Sequence, residues 1–452
     1  MKKFKKQNHT KVALFAGATA LMALTQNTHA QSSVDALINK LEQKGVLTVD
    51  EARELKSENA TNSVDDFNKA LGAKFPMPDW ITSYKLSGDF RGRYDEQSAD
   101  DNAFVDRVRL RYRLRVGLTV NMKDNLQVGF RLGSGDTGGG NTIGASPLSN
   151  NSTFQDNGTK KPVWIDTAYG RWTPINDGTW MLMGTFGKMD QPFVASPMMF
   201  DPDYTPEGGA VNATYKINDA NNLAFNTAAF VLDEEAGSTR DPFMYGGQLI
   251  WNSSWTPKIS SALGVAAFDI VNREMLTTAN VPNFNQGNTR TAGGSLVYNY
   301  NPVFVDGSIT YKLDTFPLYA GAFPIKLAGE FLDNPGASSN NKGYWGGVTF
   351  GKSGTRHTWD LAYRYEYLEG DAWYEEVVDD DNIAYYPTAQ TGEAAGMFGG
   401  TNVKGHFVKF NYSLTDAFTF SLTFYVNSLI QNPSATASSD AMRFFADVMW
   451  KF

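Results

Sequence analysis

From about residue 82 to the C-terminus, apolar and polar side chains alternate with a period of two. The sharpest case is Arg107-Val108-Arg109-Leu110-Arg111-Tyr112-Arg113-Leu114-Arg115-Val116. On a strand, successive side chains point to opposite faces, so five arginines share one face and five apolar residues the other. A helix would spread the same charges around its whole circumference. Five unpaired charges cannot form a protein core, since each costs several kcal/mol to bury. The apolar face does not suit water. A strand between lipid and an aqueous lumen satisfies both faces.

The pattern recurs. Tyr84, Leu86, Phe90 and Tyr94 alternate with Lys85, Ser87, Asp89, Arg91 and Arg93. Leu126, Val128, Phe130 and Leu132 alternate with Gln127, Gly129, Arg131 and Gly133, and similar runs occupy 359–367 and 418–426. Strands are predicted near 82–94, 104–121, 125–133, 163–173, 178–188, 207–217, 221–232 and 243–253. Eight more follow near 258–270, 303–313, 324–333, 343–351, 356–368, 401–413, 417–428 and 441–452. The predicted fold class is therefore all-β, a transmembrane antiparallel barrel of about 16 strands. Strands 4, 5 and 10 have ambiguous facing and Val297–Tyr300 offers an extra piece, so fourteen or eighteen strands also fit. Tight polar turns such as Asn121–Asn125 and Asn176-Asp177-Gly178 contrast with long connections at 134–161, 189–206, 272–300 and 370–400. In outer-membrane barrels the short turns are periplasmic, and a barrel of this size encloses an aqueous channel.

The first eighty residues read differently. Five lysines precede the apolar stretch Val12–Leu24, and Thr28-His29-Ala30 supplies small residues for cleavage, so residues 1–30 read as a secretory signal peptide. Residues 31–80 read as a periplasmic helical segment and linker. Leu37, Ile38 and Leu41 recur at helical spacing before Gly45, and Thr48 with Glu51 forms a capping box. Removing the leader takes five of the 40 basic residues and none of the 48 acidic ones, which shifts the net charge from −8 to −13. A chain this acidic is a poor nucleic-acid binder. The absence of cysteine excludes disulfides, thiolate metal sites and covalent haem. A charged fraction of 19% beside a mean hydropathy of −0.36 excludes a bundle of membrane helices.

The final strand alternates Met442, Phe444, Ala446, Val448, Trp450 and Phe452. Its terminal aromatic side chains, with Phe452, Trp450 and Val448 at the end, resemble the signal read by the outer-membrane assembly machinery. Three further stretches are "KGVLTVDEARELK", "RVRLRYRLRVG" and "FGKMDQPF…DPDYTPEGGAV"; "FPIKLAGEFLDN" and "LAYRYEYLEGDAWY" follow in order. Together these resemble the putative porin family of Gram-negative bacteria over nearly all of the mature chain. The resemblance implies a β-barrel pore surrounded by outer-membrane lipids, with both the N-terminal segment and the C-terminus on the periplasmic side. It supplies no substrate. By analogy with sixteen-stranded porins, a homotrimer is expected.

The candidate chemistry is charge. A basic set comprises Arg91, Arg93, Arg109, Arg111 and Arg113, with Arg107 and Arg115 nearer the rims and Arg131 on the next strand. An acidic set, Asp190, Asp201, Asp203 and Glu207, lies in or beside a connection stiffened by Pro192, Pro197, Pro202 and Pro206. This loop is expected to fold inward, as the third loop does in general porins, and to oppose the arginine ladder; the alternative is a loop over the rim. Glu375, Glu376 and Asp379–Asp381 are expected in external loops. Asp379–Asn382 reads as a solvated charge run before a cation site, so no metal and no cofactor are expected. Gly138-Gly139-Gly140 lacks the Lys-Ser/Thr of a phosphate loop. Only His357 and His406 remain after the leader is removed, and neither has a serine partner nearby in sequence, so the sequence does not point to an enzyme. Tyr425, Trp373 and Tyr374 suit either sugar stacking or the membrane interface. The expected function is passive diffusion of ions and small hydrophilic solutes. The alternatives are a substrate-specific channel with a lumen site for a sugar or oxyanion, and a non-transporting sheath or adhesion platform.

Overall fold

A computed structural model describes residues 78–137 and 144–452. The expected signal peptide, the helical hairpin at 33–58 and Gly138–Gly140 lie outside the described residues. Sixteen long strands run β1 (Ile81–Ala99), β2 (Arg107–Met122), β3 (Leu126–Gly133), β4 (Trp164–Asn176), β5 (Trp180–Lys188) and β6 (Glu207–Asn218). Next come β7 (Asn221–Val231), β8 (Phe243–Thr256), β9 (Ile259–Val271), β10 (Val303–Leu313) and β11 (Phe323–Asp333). The last are β12 (Lys342–Gly351), β13 (Thr358–Leu368), β14 (Val403–Ser413), β15 (Phe418–Leu429) and β16 (Ala441–Lys451). Each pairs antiparallel with its sequence neighbours. β1 also pairs with β16, Arg93 opposite Asp447, and this closes the sheet into a barrel.

The period of two becomes the two faces of the wall. Val108, Leu110 and Leu114 on β2 point outward and are exposed, whereas Arg113 between them is buried inside. Val303, Val305, Ile309 and Tyr311 on β10 likewise face out while Phe304 is fully buried inside. The ambiguity of strand 4 has a cause: Arg131 and Leu132 of β3 pair with Thr167 and Ile165, leaving Asp166 as an extra residue. A second irregularity opposite β5 spans Thr173-Pro174, and bulges are where a strand tolerates proline. Val297–Tyr300 forms no strand; next to it is a single bridge between Arg290 and Leu296.

The barrel has unequal ends. Where β1 begins and β16 finishes, most connections are tight, as at Lys123–Asn125 between β2 and β3, the longer 314–322 between β10 and β11 excepted. At the other end the described residues 144–163, with 189–206, 272–302 and 369–402, belong to long connections. Three of these loops pack into the lumen. Met198, Met199 and Phe200 from the first meet Leu276, Val281 and Leu296 from the second and Trp373, Tyr374 and Val377 from the third. They rest on Phe230, Met244, Phe268 and Phe304, the inward side chains of β7–β10. Gly246 on β8 makes this approach possible, because a Cβ there would lie 2.7 Å from the Phe193 ring and 2.5 Å from Phe268. One flank of the lumen is thereby largely an apolar core, with Asn226, Gln248 and Glu330 as buried polar exceptions that bond the loops or one another, and the arginine network lies on the flank built by β13–β16 and β1–β4.

Candidate functional site in the barrel lumen

The arginines of β1 and β2 point inward as the alternation requires, but most of them are paired. Arg93 makes a two-pronged bond to Asp447 on β16, at 2.8 and 2.9 Å, and a longer one of 3.3 Å to Asp381. Asp95, with no exposure, collects Arg109 at 2.5 Å, Arg443 at 3.2 Å and Arg111 at 3.6 Å. Arg113 and Arg115 share Asp89, at 3.3 and 2.6 Å, and both reach Asp203 in the 189–206 loop, at 3.0 and 3.4 Å. Arg131 holds Asp190 at 2.7 Å together with Asp166. Charge-assisted, two-pronged bonds of this kind fix guanidinium planes firmly.

One residue of the predicted acidic set falls elsewhere, and the two arginines expected nearer the rims divide. Glu207 opens β6, is largely exposed, and pairs with Lys188 at 3.2 Å away from the ladder. Arg107, the first residue of β2, is exposed. Arg115 lies in the middle of the charged network through Asp89 and Asp203, well away from the rim expected for it.

The 189–206 loop crosses the interior to reach several walls. Ser196 Oγ donates to Glu330 on β11 at 2.7 Å, the Val194 amide donates to Gln248 on β8 at 2.9 Å, and Asp203 meets β2. Its Asp201 amide donates to the Val377 carbonyl at 2.8 Å, and Trp373 Nε1 donates to the Met199 carbonyl at 2.7 Å. These bonds join it to the 369–402 loop.

That second loop corrects the sequence reading. Glu375, Glu376 and Asp379 are buried in the barrel, not displayed in an external loop. Asp381 bonds Arg443 at 3.1 Å and Arg93 at 3.3 Å, and Asp379 lies 3.7 Å from Arg364, which also pairs with Glu366. Trp373 and Tyr374 are neither stacking platforms nor interface anchors: both are buried among Phe200, Phe268, Phe304 and Tyr300. His406 sits exposed on β14 against Tyr363 and Tyr365, while His357 occupies a left-handed turn position beside Tyr412.

The carboxylates of Asp201, Asp379 and Asp380 come within 4.8 Å of one another. Burial, reinforced by the neighbouring acids, pushes Asp201 well above the usual carboxylate range, Asp379 to about 7 and Asp380 to about 8. Burial would raise Asp203 and Asp381 too. Arg113 and Arg91 for the former, and Arg443 and Arg93 for the latter, outweigh it and hold both low.

Where the loops meet the ladder they leave a pocket of about 220 Å³, lined on the wall by Arg91, Arg93, Arg113, Lys409 and Tyr425. Nothing in the sequence marks Lys409, Arg364 or Arg443 individually. Each is a single inward position on a late strand, recognisable only once register brings it opposite the loops.

A protein-family profile described as "Putative porin" matches residues 100–294. Among solved structures, a triple mutant of the Rhodopseudomonas blastica porin is 11% identical, with 82% of this chain covering 100% of that one at a TM-score of 0.41. Pseudomonas putida OprB is 9% identical, with 82% of this chain covering 94% of that one at a TM-score of 0.50. No curated protein matches. At such identities the likeness to OprB concerns the fold. Over residues 100–294 the chain thus matches the putative porin family, on a closed sixteen-stranded barrel of the porin kind.

Proposed function

We propose that this protein is an outer-membrane porin, a water-filled channel through which ions and small hydrophilic solutes diffuse passively. The single observation that carries the reading is the division of the lumen. One flank is filled by packed loops, and the other is lined by charged side chains that only a wet interior accommodates at this density. The narrowest passage runs between the arginines of β1 and β2 and the tips of the 189–206 and 369–402 loops. Fixed charges of both signs there create a transverse field that orients water and polar solutes. In this reading the tight turns and both barrel termini are periplasmic, and residues 31–80 form a periplasmic segment after cleavage of residues 1–30. The aromatic end of β16 addresses the chain to the assembly machinery, and the barrel assembles as a homotrimer. Neither histidine faces the lumen network, which favours a channel over a hydrolase.

Liposome swelling tests this with refolded protein and uncharged sugars of graded size. Swelling rates falling steeply with solute size are expected. Swelling no faster than in protein-free liposomes for even the smallest sugar would favour a non-transporting barrel.

A further inference from the structure

Five basic side chains line the lumen pocket, and they differ in how they are satisfied. Arg93, Arg113 and Arg364 each have carboxylates within ion-pair distance. Arg91 does not: its one side-chain bond is from Nη2 to the neutral Asn151 Oδ1, at 2.8 Å, and its buried Nε has no hydrogen-bond partner among the described residues. Lys409, reaching in from β14, has no hydrogen-bond or ion-pair partner among the described residues. A half-buried cation without a directly bonded carboxylate is costly, and Asp447, which attracts both Arg91 and Lys409, spends its hydrogen bonds on Arg93.

The anions around the pocket do not fill that role. Asp447, on the strand next to β1, is engaged on both oxygens by Arg93. Asp203 and Asp381 are committed to Arg113, Arg115, Arg93 and Arg443. Asp201, Asp379 and Asp380 repel one another, and the upward push on all three makes them less charged near neutral pH than their number suggests. The carboxylates at the pocket are thus committed to other cations or crowded against one another, and none lies within hydrogen-bond distance of Arg91 or Lys409 among the described residues. The cavity of about 220 Å³ has the volume of about seven waters, enough for a small anion with part of its hydration.

We propose that Arg91 and Lys409 form a binding site for a small oxyanion, a carboxylate or phosphate group, in the constricted lumen. The proposal rests on the channel reading and gives it a solute class. A planar guanidinium beside a compact ammonium suits such a group: the first offers paired donors and the second a point charge. Tyr425, Phe407 and Phe445 close the pocket on the apolar side. A weak site of this type concentrates its solute at the narrowest point while still releasing it, which passage requires.

The test pairs equilibrium binding with conduction. Calorimetry would measure inorganic phosphate and succinate binding to refolded protein in detergent. Planar-bilayer recordings would follow block of the chloride current by the same two anions. For the intact chain, saturable binding and saturable block are expected. Arg91→Gln with Lys409→Gln should weaken both at least tenfold. Asn151→Asp offers an independent route, because it places a carboxylate 2.8 Å from Arg91 without changing the side chain's shape; it too should weaken binding about tenfold. Arg171→Gln, a lumen arginine bonded to Thr185 and Gln127 outside the pocket, should leave binding unchanged. Heat-modifiable gel mobility reports folding of each variant. Chloride current without saturable binding, or equal binding in the intact and Asn151→Asp chains, would overturn the site while the channel stands. Saturable binding without any current would overturn the channel reading and leave the site.

Discussion

Arg109 and Arg111 sit two residues apart and end on the same carboxylate, Asp95. At the scale of single residues the arginines were legible because alternation alone decides their facing. Their partners were not. Asp447 and Asp381 lie 354 and 288 residues from Arg93, and only closure of the barrel and inward folding of a loop bring them close. Asp380 carries the first expectation. Burial, with Asp381 and Asp379 beside it and against the opposing pull of Arg443 and Arg111, raises its carboxyl to about 8, and burial raises Asp379 to about 7. An acid with a raised folded pKa holds its proton more tightly in the packed loop than in the unfolded chain. Its contribution to loop packing is complete below the ordinary carboxylate range and is lost as pH rises through 7 to 8. The same rise adds negative charge to the pocket. Reversal potentials in asymmetric potassium chloride should shift toward cation preference between about pH 6 and about pH 9. Asp380→Asn should flatten that shift; a pH-independent potential in the intact chain would contradict the assignment.

At the scale of elements, the strands were the readable part. Sixteen predicted segments correspond to sixteen observed strands because one face of each meets the outside while the other meets the interior. Facing blurred where the interior is itself apolar or the strand irregular. β10 carries Phe304 inside and Val303 and Val305 outside, so its alternation vanishes from the sequence. β4 loses register at its two bulges. The loops were read less well. Prolines point to stiffness in 189–206, but the acidic content of 369–402 points to solvent, and from sequence Trp373 and Tyr374 suit stacking or the membrane interface equally, whereas both are buried in the loop core. Trp373 is the keystone of that packing, fully buried and bonded to the Met199 carbonyl. Trp373→Ala should cost the loop core about 3–5 kcal/mol. The barrel should still fold by gel mobility, while open-channel current becomes larger and noisier. Current indistinguishable from that of the intact chain would mean the loop core does not set the passage.

For the molecule as a whole, abundant aromatic and glycine residues, few charges and a slightly negative mean hydropathy follow from one wall with an apolar outside and a wet inside. The net acidity of the chain does not describe the lumen pocket, where long-range pairing engages most arginines while Arg91 and Lys409 have no carboxylate within ion-pair distance among the described residues. The central claim is that these strands enclose a passage whose width is set by loops folded into it. Single-channel recording of the intact chain beside one with residues 190–205 replaced by a short Gly-Ser linker tests this most directly. The expected result is discrete steps from both, with the shortened chain conducting severalfold more. Equal steps from the two chains, or no steps from the intact one, would contradict it.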